Sequence, residues 1–232
     1  MPYYYGFDWT YLVLVLPCVI LSLWASSSVN STFKRYSTVL SIRRITGAQA
    51  AQRVLSGNGV TNVRIERIAG NLTDHYDPRT NVIRLSDSVY NSTSVAAIGV
   101  ACHEAGHAVQ YAQNYAPIKL RAAIIPACNF GSMLSMPLFL IGLLLVIEPL
   151  LGFGIIAYSL TALFQLITLP VEFNASRRAM NILSDSGRFS DEQLRASRRV
   201  LSAAALTYVA ALATSLLSIL RLIVIVNGRN RD

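Results

Sequence analysis

The chain has 232 residues, of which 53% are hydrophobic and only 14% charged, with a net charge of +8. Ordinary soluble domains carry roughly 25% charged residues, so these proportions favour a small domain joined to membrane helices over one sizeable soluble domain. The basic residues flank apolar runs (nine of the twenty Lys and Arg lie between Lys34 and Arg84, six between Arg177 and Arg199), a distribution that speaks for a membrane surface and against a nucleic-acid partner.

In chain order, the first apolar run, 9–25, is bracketed by Trp9 and Trp24, as residues at a membrane interface are. No Lys or Arg precedes it, whereas Lys34, Arg35, Arg43 and Arg44 follow. That charge order is the reverse of a signal peptide's and predicts a retained anchor with its N-terminus outside. Next, "TGAQAAQRVL" predicts a helix capped by Thr46, and "SGNGV" a turn with Gly on either side of Asn58. "NVRIERIA" alternates like a half-buried strand and "NVIRLS" predicts a second one. The "NVIRLS" strand is expected to present an edge to an extended peptide. Between the two strands, "GNLTDHYDPRT" is dense in turn residues and ionisable groups.

The run from Ser92 to Tyr111 is rich in Ala, Val and Ile but holds His103, Glu104 and His107 in its middle. Three ionisable groups in lipid would be costly, so this run predicts a core helix of a domain on the membrane. Two further apolar runs, 126–147 and 150–169, are separated only by Glu148 and Pro149 and predict a tight hairpin. A last run, 201–226, places Arg221 near its far end, where a long side chain can reach the interface. Segments 26–125 and 171–200 carry seventeen of the twenty basic residues and fall on one side of a four-span arrangement. That side is expected to be cytoplasmic. Arg221, Arg229 and Arg231, in or after the last span, go mildly against it. The three cysteines, Cys18, Cys102 and Cys128, are far apart and form no Cys-x-x-Cys, which suits buried free thiols in a reducing compartment.

The chemistry centres on "CHEAGHAVQ". On a helix, His103 and His107 leave the same face one turn apart, which suits two adjacent positions of a tetrahedral zinc. Glu104 borders that face without being a ligand, and can take a proton from a zinc-bound water and pass it to a leaving amine. Cys102 points about 100° away and is left out of the site. Gly106 keeps the helix surface low beside the metal. The chain has only three His and five Glu, so chance is a poor account of this pattern. Extension of the motif to a distal histidine fails, because Gln110 and Gln113 occupy the required positions. The third ligand is then His75 or a carboxylate. Among the acids Glu172 stands out, just after Pro170 at the end of an apolar run, where a lone carboxylate needs a partner. A salt bridge to Arg177 or Arg178 is the bland alternative. In "DHYDP", His75 or Tyr76 is a candidate donor to a tetrahedral oxyanion, against a plain turn stabilised by Asp77 before Pro78. Tyr111 and Arg178 are weaker candidates for substrate contacts.

The strings "TGAQAAQRVL", "LTDHYDPRTNVIRLS", "CHEAGHAVQ", "PVEFNASRRAM" and "AAALTYVAALAT" together resemble the bacterial neutral zinc metallopeptidases of the YugP type, over nearly the whole chain. More distantly, the chain is similar to the membrane-embedded peptidases of the HtpX and CAAX-prenyl-protease group. The resemblance implies a membrane gluzincin with one Zn2+ per chain on His103, His107 and Glu172, and Glu104 as catalytic base. One departure is that gluzincins commonly carry Asp four residues after the ligand Glu, whereas Ser176 stands there with Asn174 nearby.

The expected fold is a mainly α membrane protein of about four transmembrane helices, a small α+β segment and a zincin HExxH helix. Its expected divisions are an anchor at 1–28, a small cytoplasmic α+β segment at 29–92, and a peptidase core at 93–232. The expected activity is zinc-dependent endoproteolysis of membrane or misfolded proteins at a multi-pass bacterial inner membrane, with the site toward the cytoplasm. His75, Tyr76, Asn174 and Arg178 are candidate transition-state or substrate contacts. The expected partners are a peptide or protein substrate and the lipid bilayer, with homo-oligomers and other membrane-protein partners left open. A scaffold or adaptor with a structural or degenerate zinc site is the competing class. The intact Glu104 counts against it, because a structural site needs no base.

Overall fold

The computed structural model describes residues 9–42, 44–187 and 189–229. Arg43, Arg188 and Arg231, together with the first eight residues of the expected anchor, lie outside the described residues. The chain is a mainly α membrane protein with a small sheet. Its elements are α1 (Leu16–Tyr36), entered through a π-helical turn at Tyr11–Val15, then α2 (Gly47–Gly57), β1 (Arg64–Ile68), β2 (His75–Asp77) and β3 (Val82–Ser86). They continue as α3 (Val95–Ala112), α4 (Ala116–Leu145), α5 (Glu148–Asp185) and α6 (Asp191–Arg229). Among the described residues, four helical segments are long and apolar enough to cross a membrane: Tyr11–Tyr36, Ala116–Leu145, Glu148–Asp185 and Asp191–Gly228.

The chain forms two compact units. One comprises Met1–Ala25, Arg121–Ile167 and Thr207–Asp232; the other comprises Ser26–Leu120 and Thr168–Leu206. The first unit is built from the apolar stretches of the long helices. It turns large side chains such as Phe130, Met133, Leu144, Phe153 and Ile156 outward, as lipid-facing positions require. The α4–α5 hairpin closes with Val146 at φ 62, the left-handed position usually taken by glycine, and the Ile147 amide donates to the Gly142 carbonyl at 3.0 Å. Gly154 lets the two helices meet, since a Cβ there would lie 2.8 Å from the backbone nitrogen of Phe139. Small side chains at such crossings are what permit close packing where no hydrophobic effect drives association.

The second unit has a core of its own, formed by Val54, Leu55, Ile83, Leu85, Ile98, Val109 and their neighbours. Helix α2 starts as the sequence predicts. Thr46 accepts the Gln49 amide at 3.2 Å and the Gln49 side chain accepts the Thr46 amide at 3.1 Å, a capping box. Helix α3 is capped by Ser94, whose hydroxyl accepts the Ala97 amide at 3.2 Å. Its Ala and Gly positions let it lie buried against α2, β2 and β3.

Two expectations are corrected by the sheet. Its order is β1-β3-β2, with β1 parallel and β2 antiparallel to β3. The "NVIRLS" segment is therefore the central strand, paired on both sides, with no edge to offer a peptide. The "DHYDP" loop is in part a strand, β2, followed by a turn. That turn is held by Asp77, which accepts the Arg79 amide at 3.0 Å and the Thr80 hydroxyl at 2.7 Å. Helix α5 passes through Pro170 without interruption, so Glu172 sits within a continuous helix.

Candidate metal centre

Helix α3 presents His103 and His107 one turn apart, and α5 presents Glu172 and Ser176 with the same spacing. The two helices meet at Gly106, where a Cβ would stand 2.9 Å from the Ala175 carbonyl oxygen and 3.3 Å from the Ala175 Cα. A residue larger than glycine would hold α5 away, so the sequence Glu-Ala-Gly-His allows the glutamate to arrive. Gly106 keeps the helix surface low where the Ala175 backbone approaches.

His103 Nε2 lies 3.2 Å from Glu172 Oε2, His107 Nε2 lies 3.4 Å from that oxygen, and the two Nε2 atoms are 3.2 Å apart. These three form the cluster among the described residues whose donor atoms converge closely enough to hold a metal ion. Tetrahedral zinc with bonds of ~2.0–2.2 Å places its ligand atoms about 3.3 Å from one another. The residues fit that ion in type and in spacing. Glu172 is only 2% exposed, a burial that a carboxylate tolerates only with a cation or several donors. His75 stands apart on β2, exposed, with its Nδ1 2.9 Å from the Thr73 carbonyl.

The electrostatics agree. Burial opposes a positive charge on His107. The Glu172 hydrogen bond and the charges of Glu104 and Glu172, with help from Gln110, outweigh that cost and raise its pKa. A potential that favours a proton there also favours a divalent cation. Glu104 is half-buried on α3. Its charge is also felt by Asp74, whose pKa burial raises against the opposing effect of hydrogen bonds from the Ser86 amide and hydroxyl. On the far face of α3, Cys102 is buried in the core and its thiol is pushed up to about 12 by that burial, so it takes no part in the cluster. All three cysteines are unpaired and buried, as expected.

Behind the clustered atoms lies a shell of polar side chains, those in contact with the histidine rings being neutral. Ser176 Oγ is 3.1 Å from His103 Nδ1, and Gln110 Oε1 is 3.0 Å from His107 Nδ1. Ser176, four residues after Glu172, therefore brings a hydroxyl to the histidine ring. Gln110 Nε2 donates to the Val171 carbonyl and to Asn174 Oδ1, both at 2.9 Å. Arg178 donates to Asn174 Oδ1 at 2.7 Å and to Gln113 Oε1 at 2.6 Å. Tyr76 donates to Asn81 Oδ1 at 2.6 Å, and its ring lies 5.6 Å from that of Tyr111. Gln110 and Asp74 escaped the sequence reading. A fully polar side chain three residues after His107 on a buried face was the available signal for Gln110; Asp74 had none beyond its charge.

A helix bearing His-Glu-x-x-His is met here by a buried glutamate from a membrane-length helix, and the three side chains together could hold a metal ion. The chain belongs to the family described as "Putative neutral zinc metallopeptidase", whose model matches residues 11–227. It is 46% identical over 223 residues to "Putative membrane protease YugP" of Bacillus subtilis (strain 168), an alignment covering 96% of this chain and 99% of that protein. No solved structure matches.

Proposed function

We propose that this protein is a membrane-embedded zinc endopeptidase that hydrolyses peptide bonds of membrane or misfolded proteins on the cytoplasmic side of a bacterial inner membrane. The single observation that carries this reading is the convergence of His103, His107 and Glu172 at zinc-ligand spacing, with Glu104 on the same helix. Bound zinc would lower the pKa of water toward neutrality and polarise the scissile carbonyl. His103, His107 and Glu172 would hold the ion with three protein ligands, one fewer than the four that close a structural site. Glu104 accepts the proton of the attacking water and delivers it to the departing amine. Strand β2, at the edge of the sheet and against α3, is the backbone surface on which an extended substrate pairs. His75 and Tyr76 on that strand are the candidate contacts to substrate or oxyanion. The cytoplasmic assignment rests on the seventeen basic residues in segments 26–125 and 171–200.

The decisive comparison is wild type against Glu104→Gln, read by zinc content and by turnover of a denatured protein. The variant should retain its metal and lose about 10²–10⁴-fold in rate. Unchanged turnover removes Glu104 from the chemistry, and a wild type that holds zinc without turnover makes the site structural. For sidedness, Glu148→Cys should react with an impermeant thiol reagent on intact cells and Asp185→Cys should not; the reverse pattern inverts the topology.

A further inference from the structure

The hydrogen bonds behind His107 have a polarity that can be assigned from one end. A guanidinium can only donate. Arg178 Nε lies 2.7 Å from Asn174, so the oxygen of that amide must face it. The same Oδ1 receives Gln110 Nε2, whose other proton goes to the Val171 carbonyl. A flipped Gln110 amide would set its oxygen against two other oxygens in a site with no exposure to solvent. Gln110 Oε1 therefore faces His107, and at 3.0 Å it can only accept, so His107 Nδ1 carries the hydrogen. In the neutral ring the Nε2 atom is then bare, and it is the atom that points at Glu172 and His103. Ser176 gives His103 no such instruction, because a hydroxyl can rotate to donate or to accept.

We propose that Arg178, Asn174 and Gln110 are positioning residues, a directional relay that fixes the Nδ1–H tautomer of His107 and so presents its Nε2 lone pair to the metal. The proposal rests on His107 being a zinc ligand. It moves Asn174 and Arg178 from the substrate side of the site to the supporting side. It also leaves the groups that touch the histidine rings uncharged, the charge of Arg178 standing behind Asn174. Carboxylates commonly brace metal-binding histidines and raise their basicity; an amide does so less, leaving the metal held less tightly and more electron-poor.

The test uses full-length protein in detergent with 15N-labelled histidine. The imidazole nitrogens are read in the metal-free state at alkaline pH, and zinc affinity is measured by chelator competition. Wild-type His107 should be the Nδ1–H tautomer. Gln110→Leu, close in volume but unable to accept, should populate the Nε2–H form and weaken zinc binding by about 10–100-fold. Gln110→Glu keeps an acceptor toward His107 when its other oxygen carries a proton for the Val171 carbonyl or Asn174 Oδ1, and should then retain the Nδ1–H form and bind zinc more tightly than the leucine variant. Arg178→Leu should shift the tautomer in the same direction by a smaller amount, a change that loss of a substrate contact would not produce. If Gln110→Leu does not fold, the Glu and Arg178 variants carry the comparison. An Nε2–H tautomer in the wild type, or an unmoved tautomer and affinity in the variants, overturns the relay. A wild type that binds no zinc overturns the metal site instead, and the tautomer measurement still decides the relay.

Discussion

Gly106→Ala is a one-carbon change whose effect can be worked out from the contact between α3 and α5. The new Cβ would meet the Ala175 carbonyl oxygen at 2.9 Å and the Ala175 Cα at 3.3 Å. Restoring ordinary van der Waals separation requires the backbones to part by about 0.5 Å. Overpacking of this kind costs about 1–3 kcal/mol. Alanine recovers about 0.8–1 kcal/mol of that through its better helix propensity, so the net loss of stability should be small, about 0–2 kcal/mol. The metal site has less latitude. Glu172 lies one turn from Ala175 on α5, and its oxygen sits 3.2 and 3.4 Å from two nitrogens carried by α3. A relative shift of ~0.5 Å is the limit within which such constellations work, so zinc affinity should fall roughly tenfold or more. Chelator competition and thermal unfolding of the metal-free protein separate the two effects. A Gly106→Ala protein with wild-type zinc affinity would refute the claim that this close approach sets the ligand geometry.

Glu172→Ala should abolish stoichiometric zinc, whereas His75→Ala should keep it; metal analysis of the purified variants showing the opposite would reassign the third ligand. Asp77 is held at about 2 by hydrogen bonds from the Thr80 hydroxyl, the Arg79 amide and Arg84. Because its folded pKa lies below the ordinary value of 3.8, the stability it contributes is present above about pH 4 and is lost as the pH falls toward 2. Asp77→Asn should flatten the loss of thermal stability across that window, and an unchanged slope would mean the turn does not depend on the carboxylate.

The parts of this molecule that were legible in the sequence are those governed by local spacing. The four apolar runs, the capped helix after Thr46 and the His103–His107 pair each depend on neighbours within a turn or two. Glu172 was legible for a different reason, since a carboxylate at the end of an apolar run demands a partner. What could not be read was pairing at a distance. Nothing in "NVIRLS" says whether it lies at the centre or the edge of a sheet, and its central place depends on β1 and on a three-residue strand too short to show alternation. Gln110 looked like a failed ligand position because its role depends on the Val171 carbonyl, 61 residues away, being brought within 2.9 Å. Gly106, which permits that approach, stands within the motif, but its contact with Ala175 belongs to the packed helices.

On the proposed function, the sheet has a consequence for how the protein would handle unfolded chains. Long, flat, unpaired strands capture other extended chains and seed aggregates. Here β3 has both sides filled, and the outer strand β1 reads Arg-Ile-Glu-Arg-Ile, with Arg67 paired to Asp87 at 2.6 Å. The other outer strand, β2, is three residues long and runs into Pro78, which has no amide hydrogen to extend a ladder. A polypeptide laid along β2 would gain only a few backbone hydrogen bonds, each worth about 0.5–1.5 kcal/mol net. Its residence would be brief, and the fragments left after cleavage would leave easily. A sheet that holds its visitors weakly can work among sticky chains without becoming part of their aggregate.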